Sequence, residues 1–402
     1  MTISPSPRQP WRFPFPVRRP GEPADEFRLL REQCPVARVR FPTGDEAWLV
    51  TTYQDNRTVL TDDRFSRAAT TRPGAPRLQP IPPEPASMLQ MDPPEHTRLR
   101  RLVSGGFAVR RIERLRPAVR AHVEALLEAM SAAPRPFDLV DGVARRLPLT
   151  VICDLLGVPE QDRARLFAWV EVLLSLTSYP PERVRRARAE MKDYLARLIE
   201  SKRAHPGEDL LTYLVARHDE GGSLNEEELV MMAATIITGG FLSTANEITL
   251  SVLCLLRHPD QLARLREDPA LLPEAVEELL RYNALTTGGG LLRVAVADVE
   301  LGGTLIKAGE AVLPALSSAN RDPSVFPDPD RFVIDRKPNP HLAFGLGAHF
   351  CLGAHLARIE LEETLGGLLR RFPSLRLAVP EESLRPRQGH LMRGLETLPV
   401  TW

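Results

Sequence analysis

Leu229 to Asn246 is a run of eighteen residues without a charged side chain. A helix with no polar face has no side to turn to water, so lipid or other protein elements must surround it. Lipid is the poorer match. Thr235, Thr238, Gly239, Gly240, Ser243, Thr244 and Asn246 interrupt the aliphatic residues, and Glu226, Glu227 and Glu228 precede them. The run predicts a helix at the centre of a protein large enough to enclose it. With 402 residues, 43% of them hydrophobic, the chain can do so. Length alone suggests about two to three domains.

Fifty-two basic residues balance fifty-two acidic ones. That argues against a polyanion-binding surface and so against nucleic acid as a partner. The four cysteines, Cys34, Cys153, Cys254 and Cys351, are too few and too scattered for a disulfide framework. Met1 to Pro20 holds six prolines and no apolar run of signal-peptide length. A cytoplasmic protein that does not engage a membrane is expected.

The proline-rich N-terminal segment (about 1–23) should run extended over the surface. Trp48 to Thr52 reads as a strand, with Arg38 to Phe41 beside it. Eight prolines between Arg72 and Pro94 exclude a long helix and mark a loop of the kind that often serves as a lid. A helical core follows over about 93–283, with Ser223 and Glu226 as a capping-box signature before the uncharged run. Short β-type runs with Gly302-Gly303 and Ala308-Gly309 turns, a proline- and aspartate-rich meander and a cysteine loop fill about 284–353. A last helix and tail occupy about 352–402. The fold class is mostly α with a small β-rich part (α+β), to which both ends of the chain contribute.

Phe344-Gly-Leu-Gly-Ala-His-Phe-Cys-Leu-Gly353 sets a cysteine among glycines at the head of an amphipathic helix. Gly345, Gly347 and Gly353 permit tight turns and the close approach of something flat. Backbone N–H groups and the helix dipole stabilise a thiolate there. The residues alone allow a metal ligand, a nucleophile or a buried cysteine in a turn. A zinc site on His349, Cys351 and His355 lacks a second ligand cluster.

The segment resembles the haem-binding signature of the cytochrome P-450 family, F-x-x-G-x-x-x-C-x-G, with Phe344, Gly347, Cys351 and Gly353 in the fixed places. Glu278-Leu-Leu-Arg281 is similar to the family's E-x-x-R pair. Phe326-Pro-Asp-Pro-Asp-Arg331-Phe332 resembles the meander that supplies that glutamate with a second arginine. His96-Thr-Arg-Leu-Arg100 and Arg293-Val-Ala resemble the H-x-x-x-R helix and the strand arginine beside the haem. The motifs fall in family order.

The resemblance implies a single cytochrome P-450 domain over 1–402 that binds haem b (iron protoporphyrin IX) through the Cys351 thiolate. It implies that His96, Arg100, Arg293 and His349 bind the propionates, that Phe344 packs near the thiolate, and that Glu278, Arg281 and Arg331 form a buried structural network. The uncharged helix would cross the distal face of the haem, with Gly239-Gly240 opening a groove for dioxygen (O2). In register, Leu242 stands where the family carries an acid and Ser243 where it carries threonine, followed by Thr244. A serine hydroxyl can donate a hydrogen bond and leucine can relay nothing.

Pocket walls are implied at Met88, Leu89, Gln90, Phe241, Leu242, Leu292, Leu391 and Met392, with the glycines after Thr287 leaving room for a bulky substrate. The implied function is monooxygenation of an apolar or aromatic natural-product intermediate. Ferredoxin and a ferredoxin reductase would supply electrons, with docking at arginines such as Arg98 and Arg101. A monomer is expected. Family members that lack the acid include some that couple aromatic rings or crosslink cyclic dipeptides, so oxidative coupling or desaturation stands as the alternative. A ligand-sensing haem protein and a haem-free helical scaffold are the readings from other classes.

Overall fold

The computed structural model describes residues 9–219, 224–288 and 290–402. The uncharged run forms two helices in line, Glu226–Gly240 and Leu242–Arg257, with Phe241 between them (φ −123°, ψ −43°). By length and composition the pair could cross a membrane, but most of it is buried inside the protein as a core element. Asn225 caps it: its side chain accepts from the Glu228 N–H (2.8 Å), and the Glu228 carboxylate accepts from the Asn225 N–H (3.0 Å). The expected cap Ser223 lies outside the described residues.

Around the pair pack the helices Arg146–Leu156, Pro181–Ala204 and Ala354–Arg371, with Arg116–Ala132 against the last of these, and their apolar faces join one large core. Small residues set the spacing. A Cβ on Gly240 would lie 2.7 Å from the Ile152 side chain, and one on Gly367 would lie 2.8 Å from Leu127. Glycine there lets helix axes approach more closely than alanine would.

The β-rich part has its own core. Six strands lie in the order Trp11–Arg12, Val36–Arg40, Glu46–Val50, Ala311–Pro314, Arg293–Ala295, Phe65–Ser66. Val36–Arg40 and Glu46–Val50 pair antiparallel with Arg38 opposite Trp48, as the sequence suggests. The N-terminal segment departs from expectation. Trp11–Arg12 pairs parallel to Val36–Arg40 as an edge strand, and Phe13 and Phe15 are buried. Phe13 meets Phe41 edge to face at 6.0 Å, and Phe15 meets Phe27 at 5.2 Å. Each buried phenyl contributes about 1.5–3 kcal/mol, enough to draw a proline-punctuated segment off the surface.

The Arg72–Pro94 loop forms only a short turn of helix, at Met88–Gln90. It is fastened to the helix Pro181–Ala204: Arg188 donates to the Pro82 carbonyl (2.7 Å) and pairs with Glu84 (2.8 Å), as does Lys192 (3.1 Å).

Candidate active site around Cys351

The cysteine loop is built by its glycines. Gly345 and Gly347 both sit at φ +73°, and a Cβ on Gly347 would stand 2.9 Å from the Leu60 carbonyl oxygen. The turns they permit bring the Cys351 N–H to the Phe344 carbonyl (2.9 Å). Cys351 keeps an accessible face, while the surrounding protein raises its thiol pKa. The Gly353 N–H, Arg100 and Arg358 oppose that shift by favouring the thiolate. Phe344 lies under the Arg358 guanidinium (4.6 Å to the ring centre), which Glu277 holds at 2.6 and 2.8 Å.

Beside the loop five basic side chains gather. The rings of His96 and His349 lie 4.2 Å apart. Arg100 donates to the Phe350 carbonyl (2.7 Å), and Arg293, buried, donates to the Phe65 carbonyl (3.2 Å). Arg67, also buried, donates to the Leu89 carbonyl (2.8 Å), to Gln90 Oε1 (2.8 Å) and to the Leu292 carbonyl. The members repel one another. Burial, then His96, Arg293, Arg67 and Arg100, push the His349 imidazole down to about 2, and burial and Arg100 lower His96. Asp92 faces the cluster, but its carboxylate already accepts from Ser66 and the Arg67 N–H (2.8 Å). His349 Nδ1 and Arg293 Nε are buried without a partner. Such a cluster is arranged for anions that the protein itself does not provide.

In the uncharged run, the Ser243 hydroxyl donates to the Gly239 carbonyl (2.9 Å), bridging the break at Phe241. A Cβ on Gly239 would meet open space. Thr244 is buried. Two expected pocket walls are corrected: Phe241 is 0% exposed and stacks on Phe167 (5.8 Å), and Leu242 is 2% exposed. The turn at the break rotates both into the helical core. Met88, a third expected wall, is corrected likewise at 4% exposed, while Leu89, Gln90, Leu292, Leu391 and Met392 are half-buried. Arg67 ties Leu89, Gln90 and Leu292 together, and the Leu391 carbonyl accepts from the Thr287 N–H (3.0 Å). Gly288 and Gly290 pack closely and do not leave room. A Cβ on Gly288 would lie 2.9 Å from Leu313 and one on Gly290 2.3 Å from Pro314, while Gly289 lies outside the described residues.

Residues 4–394 match the family model described as "Cytochrome P450". The chain is a cytochrome P450. It is 48% identical over 377 residues to nocardicin C N-oxygenase of Nocardia uniformis subsp. tsuyamanensis, covering 94% of each chain. It is 44% identical over 394 residues to mycinamicin IV hydroxylase/epoxidase of Micromonospora griseorubida, covering 98% of this chain and 99% of that one. The crystal structure of HinD with NMFT and NO superposes with a TM-score of 0.94 at 46% identity, over 98% of this chain and all of that one.

The cofactor of this P450 is haem b with a cysteine thiolate as axial ligand, and the residues present fit it. Cys351, with its accessible face, would supply the sulfur. The unpartnered nitrogens of His349 and Arg293, with His96 and Arg100, match the demands of two propionates. When bound, the haem supplies the activation of dioxygen. Sequence reasoning missed Arg67, because its residue type and spacing do not distinguish it from the surface arginines around it.

Behind the cysteine loop, Glu278 and Arg281 are wholly buried and joined twice, at 2.7 and 2.8 Å. The second guanidinium on Glu278 is that of Arg336 (3.1 Å), not Arg331. Arg331 is exposed and contributes only its carbonyl, to Arg336 (2.8 Å) and Arg281 (3.4 Å). The meander turns at Asp328 (φ +45°), and Arg336 rather than Arg331 ends up facing inward. Arg98, expected on a docking face, is bound to Glu95 and Glu228.

Proposed function

We propose that this cytochrome P450 inserts one oxygen atom of dioxygen into an apolar or aromatic intermediate of natural-product biosynthesis. Its electrons come from a ferredoxin recharged by a ferredoxin reductase, in the cytoplasm. The observation that carries the reading is Cys351 set beside a buried basic cluster with unpartnered nitrogens. Support for oxygen insertion comes from the relatives named above, an N-oxygenase and a hydroxylase/epoxidase. The half-buried Leu89, Leu292, Leu391 and Met392 suit an apolar substrate, and four unpaired cysteines suit a reducing compartment.

In this reading Gly239 and Ser243 border the place where dioxygen reacts, while Gly240 packs on Ile152 and Thr244 is buried beneath. Gly239 leaves space there. The Ser243 hydroxyl, its hydrogen engaged by the Gly239 carbonyl, presents its lone pairs. Arg67 fixes the Leu89–Gln90 wall against Leu292. Exposed Arg101 remains available to an acidic electron donor. Coupling or desaturation without oxygen insertion rests on Leu242 and is not favoured by these relatives. Turnover of the native substrate under ¹⁸O-labelled dioxygen tests the choice. One labelled oxygen in the product is expected, and an unlabelled product two hydrogens lighter would overturn the reading.

A further inference from the structure

Inserting one oxygen atom consumes dioxygen, two electrons and two protons, and releases one water. The protons must reach the distal side through the protein. From Leu229 to Asn246 no side chain can carry one as an acid. Upstream, Glu228 is committed to its helix cap and to Arg98. The first acid past the break is Glu247, one helical turn beyond Ser243 and one before Ser251, so all three lie along one face of the helix Leu242–Arg257.

Glu247 is 3% exposed. Its Oε1 accepts from Asn283 Nδ2 (2.7 Å) and from the Ser251 hydroxyl (3.2 Å), both neutral donors. No guanidinium, ammonium or imidazole bonds to it among the described residues, in contrast to Glu278 with its two arginines. The other ionisable groups around it are accounted for. Cys254, on the same helix, is kept a thiol by burial, and Arg257 and Arg321 act on Cys254. Glu278 and Arg281, on the helix Leu272–Tyr282, satisfy each other. Glu360, on the packed helix Ala354–Arg371, has its pKa raised by burial, and its Oε2 is buried without a partner. A carboxyl placed among neutral donors pays for its burial in the charged form, and burial pushes Glu247 up to about 7 in spite of both hydrogen bonds. Glutamine would tie Asn283 to the distal helix equally well without that cost. What glutamate adds is a proton that can leave at neutral pH.

We propose that Glu247 holds the proton for the distal side of this cytochrome P450 and passes it to Ser243, which stands one turn away. The inference rests on the monooxygenase reading. For each of the two protons, the O–H bond on Glu247 breaks and the proton moves, by way of one water, to a lone pair of Ser243 Oγ, while Ser243 gives up its own hydrogen from the Gly239 carbonyl toward the distal side and stays a neutral hydroxyl. A proton from solvent then restores the acid, so Glu247 is unchanged over a turnover. Glu247 acts through Ser243 and does not touch substrate.

The test uses holoenzyme carrying E247Q or E247D. Independently of turnover, the infrared spectrum of wild type should show a carboxylic-acid stretch that titrates near neutrality and is missing in E247Q. In turnover, E247Q should retain haem and lose roughly 10²-fold in product formation, with the delivered electrons leaving as hydrogen peroxide. E247D should retain most activity with a displaced pH profile. Equal product per electron in E247Q and wild type would overturn the proposal, as would loss of haem from both variants, which marks a purely structural role. A Glu247 that stays ionised from pH ~5 to ~9 would overturn it whatever the product. An unlabelled product in the ¹⁸O experiment would instead overturn the monooxygenase reading, and the infrared titration distinguishes the two failures.

Discussion

His349 and His96 lie with their rings 4.2 Å apart, and His349 Nδ1 has no partner in the protein. Among the described residues, two imidazoles and three guanidiniums share this corner, and Asp92 is the carboxylate acting on His96, Arg293 and Arg67. The protein tolerates the repulsion because the site is completed by anions. Arg293→Leu should therefore weaken haem binding by about 10- to 10²-fold, since a hydrogen bond to a charged group is worth about 1.5–3 kcal/mol. The same change should leave the haem-free protein no less stable. Haem titration and apo-protein melting check the two halves.

Removing the Arg281 guanidinium leaves Glu278 buried beside Arg336 alone, at a cost of about 3–5 kcal/mol. Arg281→Ala should yield little soluble haem protein. Arg336→Ala should fold with a lowered melting temperature. Arg331→Ala should melt with wild type, because only its backbone is used. Parallel expression and thermal melts of the three variants give the order.

The salt bridges from Glu84 to Arg188 and Lys192 hold the proline-rich loop closed against the helix Pro181–Ala204. Each is partly exposed and worth up to about 1 kcal/mol. Glu84→Ala should speed substrate release about fivefold. Salt near 1 M should bring wild type to the rate of the variant, because screening removes what the mutation removes. Stopped-flow displacement reads both.

The pH dependence follows from Glu247. Burial pushes its carboxyl up from the ordinary 4.5 to about 7. Between these values the folded state binds the extra proton, so this group's contribution to stability is complete below about 4.5 and is lost as pH rises through about 7. The difference in stability between E247Q and wild type should grow in favour of E247Q across that window and level off above it. Urea unfolding at a series of pH values measures the difference.

Much of the site is legible in the sequence because its chemistry is local. The Gly345 and Gly347 turns, the thiol of Cys351 and the paired charges of Glu278 and Arg281 each follow from a few adjacent residues. Arg336 is not legible. It lies with Arg331 in a meander without periodicity, and only the path of the chain decides which side chain reaches Glu278. Phe241 misleads for a related reason: the helix break turns it onto Phe167, a rotation that an uninterrupted helical register does not contain. The N-terminal strand could have been seen, since Trp11, Phe13 and Phe15 alternate as one face of a strand does. Pro10, Pro14 and Pro16 around them masked the pattern. Arg67 carries no local signal, because its importance comes from Leu89 and Leu292, which are distant in sequence.

The most direct test of the account is the spectrum of the purified, reduced protein under carbon monoxide, with Cys351→His alongside. Wild type should show the red-shifted band that a thiolate ligand imposes on ferrous haem, and Cys351→His should lose it while retaining some haem. A freshly prepared wild-type protein whose band lies where a histidine-ligated haem absorbs would contradict the assignment of Cys351 and the site built around it.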